Sequence, residues 1–347
     1  MNRIGFTSLK LVLLVLFALA ALFFGVAVGS VSIPFSQICS IVVHKLFDTP
    51  LPESITGVTP DLVWNIRLPR VLLAFIVGAA LSVCGAVMQS MLQNPLASSY
   101  GLGVSSGAGV AVALCMVFGL SQSSWSNWLM PLICLGAALC TILLVMTLSQ
   151  RIDPSLSNQT IILVGMVLSL FLSACMSTLA TSSPDHSQRI LSWQLGSFSM
   201  KSWSQVVPLA PVVLVGSLLL WRFGRELDLL SFGDESATTL GLSTKRFKWM
   251  LLFLISLLTG ASVAFVGIIG FVDLVTPHIV RRFLGPSHRL LIPGCVLFGG
   301  GFMVCCDLAA RTLTSPSEIP IGSITALLGA PFFLYLFLAS RNKGQQM

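Results

Sequence analysis

The chain has 347 residues, 55% of them hydrophobic and only 9% charged, with a mean hydropathy of +0.93. Soluble domains carry ~25% charged residues, so the composition excludes an ordinary soluble enzyme and describes an all-α polytopic membrane protein. The formal net charge of +7 is accounted for by basic residues gathered on one side of the membrane and calls for no nucleic-acid partner.

Ten apolar windows, near 9–29, 66–90, 100–119, 128–148, 159–180, 206–222, 248–267, 268–284, 290–312 and 319–340, are long enough for a ~30 Å hydrocarbon core. Gly260, Gly267 and Gly270 interrupt the seventh and eighth, a run that also fits one span followed by a re-entrant piece. Arg3, Lys10, Arg151, Arg222, Arg225, Lys245, Arg246, Lys248, Arg281, Arg282, Arg289, Arg341 and Lys343 share one side. Lys45, Arg67, Arg70, Arg189, Lys201 and Arg311 lie on the other. The excess marks the cytoplasmic side, where an even number of spans places both termini. The first apolar run is too long for a signal-peptide core and is expected to be a retained helix.

After the first span, Cys39 to Asp61 contains Pro50, Pro52 and Pro60 and is expected to be an irregular external loop. Arg67 and Arg70 then stand where the second span begins at the outer face, with Pro69 suited to a first helical position. Two cations at a positive helix end call for an anion, supplied either by lipid phosphates or by an external acidic partner. Within the second span Gly78, Ser82 and Ala86 form a small-residue face for close helix approach. Gly101, Gly103 and Gly107 follow Asn94 and Pro95, but no strand precedes them and no GxxxxGK[ST] occurs. ATP is not bound through a P-loop of this chain.

In the fifth span Ser169, Ser173 and Ser177 place hydroxyls on one helical face, either for packing against a neighbour or for lining a pathway. Trp193 and Trp203 suit the membrane interface on the external side. Between the apolar halves lies the longest polar segment, Leu227 to Lys248. Gly233 can end a first short helix, Asp234 can cap a second and Gly241 can end that one. Helices this short need something to pack on, and Leu229, Leu230, Phe232, Leu240 and Leu242 provide apolar docking points. Lys245, Arg246 and Lys248 equally allow an amphipathic connector lying on lipid headgroups.

Asp273 lies within an apolar run, where an acid is a functional candidate by default. It is expected to be a structural acid, hydrogen-bonded or paired with His278. Asp307 and Arg311 stand at i and i+4 and can neutralise each other, and Gly322, Ala326 and Ala330 make a second small-residue face in the last span. Eight of the nine cysteines lie in apolar spans with no CxxC, as small buried hydrophobes rather than disulfide or metal ligands. No metal site, resident cofactor or catalytic residue is expected.

RLPR at 67–70, QNPLAS at 93–98 with LGVSSGA at 102–108, GDESATTLG at 233–241, PHIVR at 277–281, and EIPIG with LLGAPFFLYL across 318–336 occur in this order. Together they resemble the permeases of iron-siderophore, haem and vitamin B12 ABC importers, over residues from about 60 to 340. The resemblance implies a single transmembrane permease domain over residues 1–347 in the bacterial inner membrane, with about ten helices as in the vitamin B12 importer permease. It also implies pairing with a second permease copy or a paralogue, two cytoplasmic ATP-binding subunits and an external substrate-binding protein.

By motif, Arg67, Arg70 and Arg311 match arginines that meet acids of the binding protein. Gly233, Asp234, Glu235, Ser236, Ala237, Leu240 and Gly241, within the coupling segment 227–246, match the helices that fit a groove on the ATPase. By helix, Ser169, Ser173 and Ser177 become pathway candidates. The implied cargo is an iron-siderophore complex, with haem or vitamin B12 as alternatives. One departure stands out: where the family reads GFVGL before PH, this chain has Asp273 in place of the glycine. A secondary transporter would be expected to show charged coupling residues near the midplane and inverted repeats, for which Asp273 is the one candidate. A membrane-embedded enzyme would need clustered ligands, and His44, His186, His278 and His288 are scattered.

Overall fold

With no water in the hydrocarbon core, each backbone N–H and C=O of a spanning segment has to pair internally, which leaves helices for apolar windows of this kind. The computed structural model describes residues 2–29, 33–52, 55, 57–120 and 126–344, and every window falls on a helix. In order these are α1 (Asn2–Ala27), α2 (Phe35–Phe47), the single turn α3 (Thr59–Asp61), and a π-helical turn at Leu62–Arg67 that runs directly into α4 (Leu68–Met91). Then come α5 (Val104–Val117), α6 (Ser126–Ile152), α7 (Asn158–Ser182), α8 (Pro184–Gln194) and α9 (Trp203–Arg222). The polar segment forms α10 (Gly224–Leu230) and α11 (Asp234–Thr239), and the chain closes with α12 (Thr244–Val266), α13 (Val272–Leu284), α14 (His288–Thr312) and α15 (Ile321–Gly344).

Among the described residues, 7 helices are long and apolar enough to cross a membrane, and Phe35–Phe47, Val104–Val117 and Ile321–Leu334 are shorter apolar helices. The stretch from Cys39 to Asp61 departs from expectation. Its first part completes α2, because Ile38 and Ile41 bury one side of that helix, and the chain turns only at Asp48 in a left-handed conformation. Residues 53, 54 and 56 of the stretch lie outside the described residues. The long run at 248–284 divides at Gly267, whose φ of 80° ends α12. With 13 residues, α13 is about 20 Å long and covers only part of a ~30 Å core.

The core is built around α4, 83% of whose most apolar window is buried, with α9, α12, α13 and α14 packed on it. The small-residue face is the means. Gly78 lies against the backbone of Gly299 on α14, Ser82 lies against the same glycine, and the Asp273 backbone at the start of α13 occupies the space that a side chain at Gly85 would need. These contacts bring helix axes together through dispersion, the main attraction left where lipid and side chain are equally apolar. At the other extreme stands α7, with only 17% of its window buried. Leu163, Val167 and Leu170 on it are exposed.

Candidate functional site

Three regions expected to be functional can be located. At one end of the bundle Arg67, Arg70 and Arg311 meet in one corner, but each guanidinium has internal partners. Arg67 is 5% exposed and its Nη1 donates to the carbonyls of Val26 at 3.0 Å and Ala27 at 3.2 Å. Arg70 donates through Nη2 to Asp307 at 2.8 Å and through Nη1 to Glu318 at 2.7 Å. Arg311 donates to the Gly25 carbonyl, with its Nε 3.5 Å from Asp307. Asp307 is thus held chiefly by Arg70, 237 residues away, rather than by its i+4 neighbour. Nothing local in the sequence signals that pair. Of the acids, Asp307 is buried and Glu318 is 36% exposed, so Glu318 is the part of the corner that faces water.

The second region is the polar segment. Gly233 (φ 111°) separates α10 from α11, and Gly241 (φ 90°) closes α11. The closure has the Schellman pattern, with Gly241 N–H donating to Thr238 O at 2.9 Å and Leu242 N–H to Ala237 O at 3.0 Å, which satisfies the last carbonyls. The expected cap is not formed. Asp234 occupies the first helical position without a side-chain capping bond, because its carboxylate accepts from Lys248 Nζ at 2.5 Å instead. Lys248, which with Lys245 and Arg246 had left a lipid-headgroup connector open as the alternative, is 1% exposed and also donates to Leu156 O at 3.1 Å and Asn158 Oδ1 at 2.7 Å. It ties α11 to the turn between α6 and α7. That turn is braced by Asp153, whose carboxyl is held below the usual carboxylate range by hydrogen bonds from the Ser155 side chain and from Ser157.

The apolar points of the segment differ in burial, with Leu229 and Leu242 half-buried. Leu227, Leu230 and Ala237 are fully buried, whereas Phe232 is 77% and Leu240 66% exposed. Two large apolar side chains are therefore exposed at the two ends of α11, a helix that is closed by Gly241, anchored and too short to stand alone. The anchor is testable. Lys248→Met should destabilise the permease by about 3 kcal/mol, the low end for breaking a buried pair, because the Asp234 carboxylate keeps 32% exposure. Denaturant titration of the purified protein checks this, and proteolysis within 230–246 should quicken in parallel.

A second brace was not anticipated at all. Asp228 on α10 accepts the backbone N–H of His288 at 2.9 Å and lies 2.6 Å from its Nδ1, while His288 Nε2 lies 2.7 Å from Ser90 Oγ on α4. Arg281 on α13 joins Ser90 at 2.9 Å and Gln89 at 2.7 Å. Residues at 90, 228, 281 and 288 carry no shared local pattern, so only the fold unites them. The result is a polar chain from α10 of the polar segment into α4, α13 and α14.

In the third region, Ser169 and Ser173 of α7 both bond Ser106 of α5, at 3.2 and 3.0 Å. Ser177 is exposed. Asp273 is fully buried and is hydrogen-bonded by Ser98, not by His278; its Oδ1 has no hydrogen-bond partner among the described residues. Among the described residues no cluster of His, Cys, Asp or Glu could hold a metal ion.

The FecCD transport family model matches residues 13–339. The chain belongs to this family. It is 40% identical over 331 residues to the ABC transporter permease protein YvrB of Bacillus subtilis, covering 95% of this chain and 94% of the relative. It is 39% identical to the hemin transport system permease protein HmuU of Yersinia pestis, covering 82% and 86% of the two chains. It is 38% identical to the vitamin B12 import system permease protein BtuC of Escherichia coli, covering 81% and 84%. A solved structure described as an inward-facing conformation of a metal-chelate type ABC transporter superposes with a TM-score of 0.82 at 30% identity, covering 95% of this chain and 98% of that one. The FecCD protein described here is therefore a multi-pass, non-catalytic permease subunit of an ABC importer, and such subunits work with ATPase and binding-protein partners. The expected family and all-helical fold are borne out.

Proposed function

We propose that this FecCD permease pairs with a second copy or a paralogue in the bacterial inner membrane to form the pathway for a large metal chelate, an iron-siderophore complex first. The observation that carries the coupling role is the exposure of Phe232 and Leu240 at the two ends of the braced helix α11. They are the apolar half of an interface whose other half is the ATPase. Two ATPase subunits would then engage the paired permeases, with both permease termini on the same cytoplasmic side. At the outer corner the binding protein docks over Arg67, Arg70 and Arg311. Arg70 is the residue placed to exchange the exposed Glu318 for an acid of the partner, while Arg67 and Arg311 contribute positive potential from within. The sparsely buried α7, with Ser177 and the hydroxyls of Ser169 and Ser173, faces the second permease and the pathway.

The cargo class is supported by chemistry common to the relatives, since hemin, vitamin B12 and a metal chelate are all metals wrapped in a bulky organic ligand. Titrating the cognate binding protein with a ferric siderophore, hemin and cobalamin tests the choice. Tightest binding of the ferric siderophore is expected. Binding of hemin or cobalamin alone would replace the cargo and leave the permease assignment intact.

A further inference from the structure

Away from these regions, α9 and α14 part over α4 and leave an apolar cleft of about 850 Å³, within the ~300–1,000 Å³ range of small-molecule sites. Pro211 of α9 and Pro293 of α14 face it from either side, and a proline inside a helix loses a hydrogen bond and bends the helix. Trp221 closes its cytoplasmic end and also lines an adjoining cavity of about 500 Å³, together with Arg222, Arg225 and Arg289. These three arginines are exposed and form no ion pair among the described residues. The Trp221 indole is fixed between the two cavities by donating Nε1–H to the Arg289 carbonyl at 2.9 Å.

One polar residue lines the apolar cleft with its hydroxyl turned inward. Ser217 lines it, is only 8% exposed, and its Oγ has no hydrogen-bond partner among the described residues. A buried hydroxyl left unpaired is costly, and a serine in a helix normally bonds back to its own turn. Ser217 lies five residues before Arg222, about 7.5 Å along the helix, and so sits deeper in the bundle than the arginines.

We infer that this cleft is a binding site for an anionic glycerophospholipid of the cytoplasmic leaflet. An acyl chain lies along Phe75, Leu214 and Val296, Ser217 turns its unpaired hydroxyl into the cleft to donate to an ester carbonyl, and the phosphate sits among Arg222, Arg225 and Arg289. Charge complementarity selects the occupant, because a basic pocket between helices on the cytoplasmic side attracts anionic headgroups over zwitterionic ones. Arg225 belongs to α10 and Arg289 adjoins His288, so the bound lipid touches the same cytoplasmic segment that carries α11. Occupancy would therefore stiffen the route from ATPase to permease.

Native mass spectrometry of the permease released from vesicles of equal phosphatidylglycerol and phosphatidylcholine tests the inference. The wild type is expected to retain phosphatidylglycerol preferentially, and the triple variant R222Q/R225Q/R289Q to lose that retention by at least about tenfold. Ala210→Phe, which fills the apolar cleft and leaves the arginines, should lose it as well, with membrane insertion intact in both. Equal retention of the two lipids by the wild type would overturn the inference. So would undiminished phosphatidylglycerol on the triple variant, and if that variant instead sheds the ATPase, the arginines belong to a protein contact.

Discussion

Arg70→Leu is expected to destabilise the permease by about 3–5 kcal/mol, the range for removing one partner of a buried ion pair. The cause is what remains. Asp307 is 1% exposed, and without Arg70 its closest cation is Arg311 at 3.5 Å, which is already committed to the Gly25 carbonyl. The Asp307 charge would be buried without adequate compensation. Exchanging both residues, Arg70→Leu with Asp307→Leu, removes the charge along with its partner and should recover most of the loss, so the double-mutant cycle isolates the coupling. Glu318→Gln should cost only about 0–1 kcal/mol, as an exposed partner does. This difference separates the corner into a structural half and a half that is cheap to exchange, as docking of an external acid requires. Denaturant titration of the wild type, Arg70→Leu, Asp307→Leu, the double variant and Glu318→Gln measures it, and an Arg70→Leu cost below about 0.5 kcal/mol would show that the pair does not hold the fold.

Leu240→Asp should release the ATPase while leaving the permease folded. At 66% exposure the new carboxylate meets water in the free permease, so its stability should stay within about 0.5 kcal/mol of wild type, as for most surface changes. Seated in an apolar groove, the same charge is stripped of water without a partner. A loss of about 3 kcal/mol or more corresponds to at least about a hundredfold in dissociation constant. Phe232→Asp, at 77% exposure, should act in the same direction. If the segment merely lay on lipid headgroups, Leu240→Asp would keep the ATPase, and neutralising Lys245 and Arg246 would do more harm. Pull-down of the ATPase with each variant separates the two.

What could be read from the chain follows the range of the interactions. Apolar windows are a local property, and all of them became helices; the Gly233 and Gly241 breaks are equally local, since a positive φ favours glycine wherever it occurs. The face of Gly78 and Ser82 was legible because i, i+4 spacing is a local signal of close packing. Local reasoning failed where a nearer partner in space outbid a neighbour in sequence. Asp234 had a capping geometry available, but an ammonium buried against it is the stronger attraction, so it pairs with Lys248. Asp307 had Arg311 one turn away, but Arg70 offers two donors. The Asp228, His288, Ser90 and Arg281 brace had no signal, because its members share neither a helix nor a motif.

An importer permease driven by ATP and a carrier powered by an ion gradient differ in what energises uptake. Proteoliposomes containing the permease and its ATPase, with the loaded binding protein outside and ATP within, measure it directly. Ferric siderophore should accumulate only when ATP, ATPase and binding protein are all present, and uptake should vanish with Leu240→Asp. Accumulation driven by a proton or sodium gradient with the ATPase left out would contradict coupling to ATP.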